Sequence, residues 1–218
     1  MARPRKEEQT DLAARATDAA LRLCGERGAD RVTMQDIAAA LGCRPPALYH
    51  HFPNKEALLL AVHDEGFRRL FAAKRAAVAD ADGPLDRLRR GGWAYVRFAA
   101  ANPELYELMF NDRGPHRRRE EDGGGTAADP ARQALAVLED TVRACQQAGC
   151  LTGVPAETAA FTLWSAVHGA IALALRRRSP FPGADGVESM AGAAVDTMVR
   201  WAAGTGGTVT SSPAQPPP

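Results

Sequence analysis

Residues 32–58, VTMQDIAAALGCRPPALYHHFPNKEAL, decide how the rest of the chain is read. Thr33 suits the N-cap of a helix from about Met34 to Leu41, its hydroxyl accepting from the unpaired N–H of Gln35 or Asp36. Ile37, Ala38 and Leu41 form a narrow apolar stripe, as on a helix packed against others. Gly42 can take the left-handed conformation that ends a helix. Pro45 and Pro46 suit the first turn of a second helix, where a missing N–H is no loss. Along that helix Leu48 and Phe52 turn inward. Arg44, Tyr49 and His50 face outward, and His51 is half-buried. Asn54 then caps a third helix whose first turn holds Lys55.

Two short helices joined by a tight, glycine-containing turn make a helix-turn-helix, in which the second helix enters the DNA major groove. The run Leu48-Tyr49-His50-His51-Phe52, followed by Asn54-Lys55-Glu56-Ala57-Leu58, closely resembles the TetR family of bacterial transcriptional regulators. So does the stretch from Ala19-Ala20-Leu21 through Gly28 to Val32-Thr33, Asp36-Ile37-Ala38 and Leu41-Gly42. The resemblance is dense over residues 10–62 and thinner beyond. It departs at Cys43-Arg44-Pro45, where such proteins usually carry a small apolar residue, then Ser and a polar residue. The departure leaves fewer polar side chains to read bases.

Phosphate contacts supply most DNA affinity, and base edges supply specificity. Thr33, Tyr49 and Lys55 are the expected phosphate contacts, and all three match the positions the family uses. Gln35, Arg44, Pro45, Ala47 and His50 are expected to point into the groove. Arg44 is the best base reader, because guanidinium pairs with guanine through two parallel hydrogen bonds, and Ala47 suits a thymine methyl.

The remainder of the chain is all-α. Strand formers nowhere alternate, and Ala, Leu, Arg and Glu dominate. Lys plus Arg is 27 against 26 for Asp plus Glu, giving +1, which argues against a general nucleic-acid coater. Cys24, Cys43, Cys145 and Cys150 lack metal-finger spacing, so no metal or cofactor is expected and the thiols read as reduced. The sequence reading finds no membrane-crossing apolar run and no signal core, which makes a cytoplasmic protein without a membrane partner the expectation. No nucleophile elbow, phosphate loop, HExxH or paired-carboxylate signature suggests an enzyme.

Outward from the motif, Arg3, Arg5 and Lys6 form a basic N-terminal arm that is either a frayed end or a groove contact. A first helix is expected over about 9–27, and a long third helix from Asn54 to about Ala79, able to transmit movement to the helix-turn-helix. A helix over 84–101 and a short one over 103–110 gather Trp93, Tyr95, Phe98, Tyr106, Met109 and Phe110. These residues read equally as core or as the wall of a small-molecule pocket. Residues 112–129 read as a loop. Three helices follow, over about 130–148, 155–178 and 187–203, and residues 204–218 read as a disordered tail. Trp164-Ser165-Ala166-Val167-His168-Gly169 resembles a motif of one branch of the family, and Trp164 and His168 join the ligand candidates.

The expected domains are a helix-turn-helix domain over 1–54, a ligand-binding and dimerisation domain over 55–203, and the tail. In the family the last two helices build a four-helix dimer interface, here assigned to Ile171, Leu175, Met190, Ala194, Met198 and Trp201. The expected protein is therefore a homodimeric regulator, released from a palindromic DNA operator by a small hydrophobic ligand. The alternatives are the same fold acting without a ligand or as an activator, and a helical binding protein or enzyme whose hairpin is only structural.

Overall fold

The structure, a computed structural model, describes residues 6–110, 130–178 and 186–204. Arg3 and Arg5 of the basic arm, the loop expected over 112–129 and the tail from 205 lie outside the described residues. Every regular element among those described is helical: α1 (Lys6–Arg27), a 3-10 turn (Ala29–Arg31), α2 (Met34–Leu41), α3 (Pro45–Tyr49) and α4 (Lys55–Ala77). There follow α5 (Pro84–Ala101), α6 (Pro103–Phe110), α7 (Pro130–Gln147), α8 (Ala156–Leu175) and α9 (Val187–Gly204).

Internal contacts gather these helices into two compact units, residues 1–73 with 97–134 and residues 74–96 with 135–218. In the first, α1 packs on the 3-10 turn, α2, α3 and α6. Ala16, Ala20, Val32, Ile37, Leu48 and Leu58 are fully enclosed, so the small residues of α1 bring the helix-turn-helix close against it. α6 crosses α4 at Gly66, where an added Cβ would lie 2.6 Å from Met109 Sδ and 3.0 Å from Leu105 Cδ1. Phe67, Tyr106 and Phe110 extend that seam, with ring centroids 5.4 Å apart for Phe67–Phe110 and 4.8 Å for Tyr106–Phe110. Arg69 on α4 also pairs with Asp18 on α1. These contacts group α4 as far as Ala73, and α6, with the helix-turn-helix, whereas the sequence reading ended that domain at residue 54.

In the second unit α8 lies along α9, and Leu88, Val142, Cys145, Ala160, Leu163 and Ala202 share its core. α7 ends on Gly149 at φ +83, with Gly149 N–H donating to the Gln146 carbonyl at 3.0 Å and Cys150 N–H to that of Cys145 at 2.9 Å. This is a Schellman cap, and both cysteines are free thiols. Arg143 then joins α7 to Glu157 at the start of α8, at 3.1 Å.

One expectation is overturned. α8 is long and apolar enough to cross a membrane by length and composition. Its apolar residues occupy two faces rather than one. Ala160, Leu163, Val167 and Ile171 are buried in the unit, while Phe161 and Leu173 stand on the outer side, 56% and 47% exposed. The helical stripe sought in the sequence describes only the inner face.

Candidate nucleic-acid interface

The turn between α2 and α3 is fixed at both ends by local chemistry. Thr33, in extended backbone at φ −113, accepts at its hydroxyl from Asp36 N–H at 3.2 Å and donates from the same hydroxyl to Asp36 Oδ2 at 2.6 Å. Its backbone N–H reaches that carboxylate as well, at 2.9 Å, completing a capping box. These bonds hold the Asp36 carboxyl below the usual carboxylate range, with Arg27 adding to the effect. At the other end Gly42 is left-handed at φ 66, and Cys43 N–H closes the cap on the Ala38 carbonyl at 3.0 Å.

From that corner α3 runs for barely more than one turn. Leu48 is fully buried and Phe52 nearly so, and these two anchor it to α1 and α2. Arg44, Pro46, Tyr49 and His50 stand outside, and Pro45 and Ala47 are half-buried. Asn54 caps α4 by accepting from Ala57 N–H at 2.8 Å, and Lys55 Nζ donates to the Asp30 carbonyl at 3.3 Å.

The polar side chains of this face share one property. Among the described residues, the side chains of Arg31, Gln35, Arg44, Tyr49 and His50 have no hydrogen-bond or ion-pair partner. Other arginines of the same unit are committed: Arg15 to Asp11, Arg22 to Glu26, and Arg69 to Glu65 and Asp18. A cluster of outward donors with no internal acceptor is what an anionic partner requires, because binding then breaks no existing bond. Thr33 differs: its hydroxyl hydrogen must leave Asp36 before it can meet a phosphate.

The second unit holds a different polar arrangement. Trp164 Nε1 donates to the Tyr95 hydroxyl at 3.2 Å, and that hydroxyl meets His168 Nδ1 at 3.1 Å. The indole and imidazole centroids lie 5.2 Å apart. Tyr95 is buried, Trp164 and His168 half-buried, and burial pulls the imidazole below its ordinary value, with Arg176 adding to it. Since the indole can only donate, the phenol accepts from Trp164, and the direction of its bond to Nδ1 follows the imidazole tautomer.

Trp93 sits elsewhere in that unit. Its Nε1 donates to Asp196 on α9 at 3.0 Å, and its ring closes over Gly192. Phe98, Tyr106 and Met109 belong to the other unit and are buried there at 8%, 2% and 2% exposure, with Phe110 against Tyr106. The ligand candidates are thus divided between the two units, Trp93, Trp164 and His168 in one and Phe98, Tyr106, Met109 and Phe110 in the other. Of the interface candidates, Ile171 is wholly enclosed in its own subunit, Leu175, Met190, Ala194 and Met198 are half-buried, and Trp201 is 63% exposed.

Residues 16–62 match the family description "Bacterial regulatory proteins, tetR family", and residues 88–199 match "Tetracyclin repressor-like, C-terminal domain". The chain belongs to the TetR family. It is 35% identical over 108 residues to the uncharacterized HTH-type transcriptional regulator Rv1255c of Mycobacterium tuberculosis, covering 49% of this chain and 54% of that protein. It is 37% identical over 84 residues to the HTH-type transcriptional regulator BetI of Brucella suis, covering 38% and 41%. The chain thus spans about half the length of the curated relatives it matches. Among solved structures, a bacterial regulatory protein in the tetR family from Rhodococcus RHA1 superposes with a TM-score of 0.65 at 28% identity, over 88% of this chain and 96% of that one.

In this TetR-family chain, sequence reasoning left several roles unassigned. Asp36 carries the capping box, and a Thr-x-x-Asp spacing ahead of an apolar run was available as its signal. Tyr95 links Trp164 to His168 from a different helix, and nothing in local spacing reveals that. Phe161 and Leu173 lie on the outer face of α8, whereas the sequence reading takes Phe161, Trp164, His168, Ile171 and Leu175 as a single stripe. α8 is apolar around much of its circumference, so periodicity could not choose a face.

Proposed function

We propose that the chain is a homodimeric, sequence-specific repressor that binds a palindromic operator in the cytoplasm and leaves it when a small, largely apolar ligand binds. The observation that supports this reading is the set of exposed side chains without internal partners, Arg31, Gln35, Arg44, Tyr49 and His50, in and beside the helix-turn-helix. Tyr49 and Lys55 bind phosphates, with Thr33 joining them at the N-terminus of α2, where oriented N–H groups favour an anion. Gln35, Arg44, Pro45, Ala47 and His50 face the bases.

Pairing rests on the outer faces of α8 and α9. Phe161, Ser165, Gly169, Ala172 and Leu173 fall within one helical stripe, and Met190, Ala194 and Trp201 share another. Phe161, Leu173 and Trp201 are large apolar groups left in water by a single subunit. A two-fold pair sets its recognition helices ~34–36 Å apart, one turn of B-DNA. The Trp164–Tyr95–His168 line supplies one polar anchor for a ligand in a helix otherwise rich in Ala and Leu. Release then requires the ligand to bind more tightly to the subunit arrangement that does not fit the operator.

Gel shift on duplex DNA from upstream of the coding region, with scrambled duplex as control, tests the reading. A sharp shift of the native duplex at concentrations that leave the scrambled one unbound is the expected result. Equal shifts of both overturn sequence-specific regulation.

A further inference from the structure

An α-helix normally presents four unbonded N–H groups at its start, and a recognition helix aims them at whatever it meets in the groove. α3 has none to present over its first three residues. Pro45 and Pro46 occupy its first two positions and carry no N–H, and the Ala47 N–H already donates to the Arg44 carbonyl at 2.9 Å. Arg44 does not cap the helix with its side chain, and its guanidinium has no partner among the described residues. The leading edge of α3 is therefore two prolines and an alanine, beside one uncommitted guanidinium.

A surface of C–H groups finds its best counterpart on the major-groove edge of unmodified DNA in the C5 methyl of thymine; cytosine offers only a C5–H there, and the remaining groups are hydrogen-bond donors or acceptors. Pro46 is exposed and Ala47 half-exposed on neighbouring positions, while Leu48 behind them is fully buried and cannot yield. Seating Pro46 on a guanine or adenine edge would strip water from base acceptors without replacing the bond, which is unfavourable. Electrostatics agree with a DNA occupant, since the exposed Arg44 immediately precedes the two prolines.

Resting on the DNA-binding reading above, we infer that Pro46 is a specificity-determining residue, which with Ala47 selects thymine methyls beside a guanine held by Arg44. Each operator half-site then contains a guanine flanked by thymines, and discrimination at the thymines is apolar rather than hydrogen-bonded. Burying one methyl is worth about fourfold in affinity, so the same change in both half-sites of a palindrome is worth about sixteenfold.

The test begins by selecting duplexes from a random library with the full chain. The winning site is then resynthesised with deoxyuridine for thymine, one position at a time, which removes only the methyl. The expected result is a loss of about fourfold per methyl at the thymines beside the guanine, and no loss elsewhere. Pro46→Ala should lose that sensitivity at one thymine while retaining its melting temperature. 5-Methylcytosine placed at the same position should partly restore binding to the native chain. A selected site at which every deoxyuridine is neutral overturns the inference and leaves DNA recognition standing. A library in which nothing is enriched overturns both.

Discussion

Trp93 donates its indole N–H to the Asp196 carboxylate at 3.0 Å, joining α5 to α9. Arg89 donates to the same oxygen at 2.9 Å. The Trp93 bond is the first cause, and the Arg89 bond and charge the next, of a carboxyl held below its ordinary value. A depressed folded value gives stability that is fully present above the unfolded value of about 3.9 and lost as pH falls through the folded one. Asp196→Asn is expected to lose about 1 kcal/mol at neutral pH, because a charge-assisted bond near solvent becomes a neutral one. Urea unfolding of both proteins from pH 7 down to pH 3 checks this. The gap should narrow below pH 4, and a gap constant with pH would show that the carboxylate charge contributes nothing.

The same pair of helices is closed by Trp93 over Gly192. A Cβ at Gly192 would overlap the indole ring, and one at Gly92 would lie 2.9 Å from Val195 Cγ1. Neither neighbour is the mobile tip of a long side chain. Gly192→Ala is therefore expected to destabilise the fold by about 1–3 kcal/mol despite the better helix propensity of alanine. Thermal unfolding reads it directly. An unchanged or raised midpoint would mean that α5 and α9 are not packed this closely.

On the DNA side, Tyr49, 50% exposed, and Lys55 are assigned to phosphates, and Arg44 to a base. Tyr49→Phe and Lys55→Ala should weaken binding to all duplexes alike, and Lys55→Ala should lower the salt slope by about one. Arg44→Ala should cost about 1–3 kcal/mol on the preferred site and much less on random DNA. Anisotropy titrations on both duplexes at several salt concentrations separate the roles. Uniform losses for all three variants would remove the division between affinity and specificity.

The unequal legibility of the two halves has a physical cause. α2 was readable to the residue, Met34–Leu41, because Thr33 and Gly42 are local devices whose bonds run to neighbours in sequence. Pro84, Pro103 and Asn54 marked helix starts for the same reason. Contacts between distant residues left no such trace: Tyr95 meets His168 across 73 positions, and Trp93 meets Asp196 across 103. Trp93, read as pocket wall or core, is a bridge between helices. Ile171 and Phe161 were read as one stripe, yet Ile171 is enclosed and Phe161 exposed, because on a helix apolar nearly all round the buried direction is set by what packs on it and not by its own pattern.

His168 gives a second pH dependence at a different place on the scale. Burial, and then Arg176, lower its folded value beneath the ordinary 6.5. A neutral folded imidazole contributes stability that is complete above about pH 6.5 and lost as pH falls from there towards the folded value. Protonation would also make Nδ1 a donor only, fixing the direction of its bond to the Tyr95 hydroxyl. His168→Gln should flatten the fall in melting temperature between about pH 7 and pH 5. An identical slope in the variant would assign that titration to another residue.

Gly169 distinguishes the folding of one subunit from the pairing of two. It lies mid-helix in α8, between Ser165 and Leu173 on the outer face, and a Cβ there would meet nothing within 4 Å in its own subunit. Gly169→Ala is accordingly expected to stabilise the subunit by up to about 1 kcal/mol, through restored helix propensity. If a second copy packs on this face, the new methyl holds the two backbones apart and weakens association. Trp201→Ala should leave subunit unfolding almost unchanged, since the ring is 63% exposed, yet weaken pairing by about thirtyfold if the indole is an interface anchor. Sedimentation velocity over a dilution series, read beside chemical unfolding under dilute conditions, separates the two effects. Opposite signs for Gly169→Ala in the two measurements place the interface on α8, whereas a dimer indifferent to both substitutions places it elsewhere.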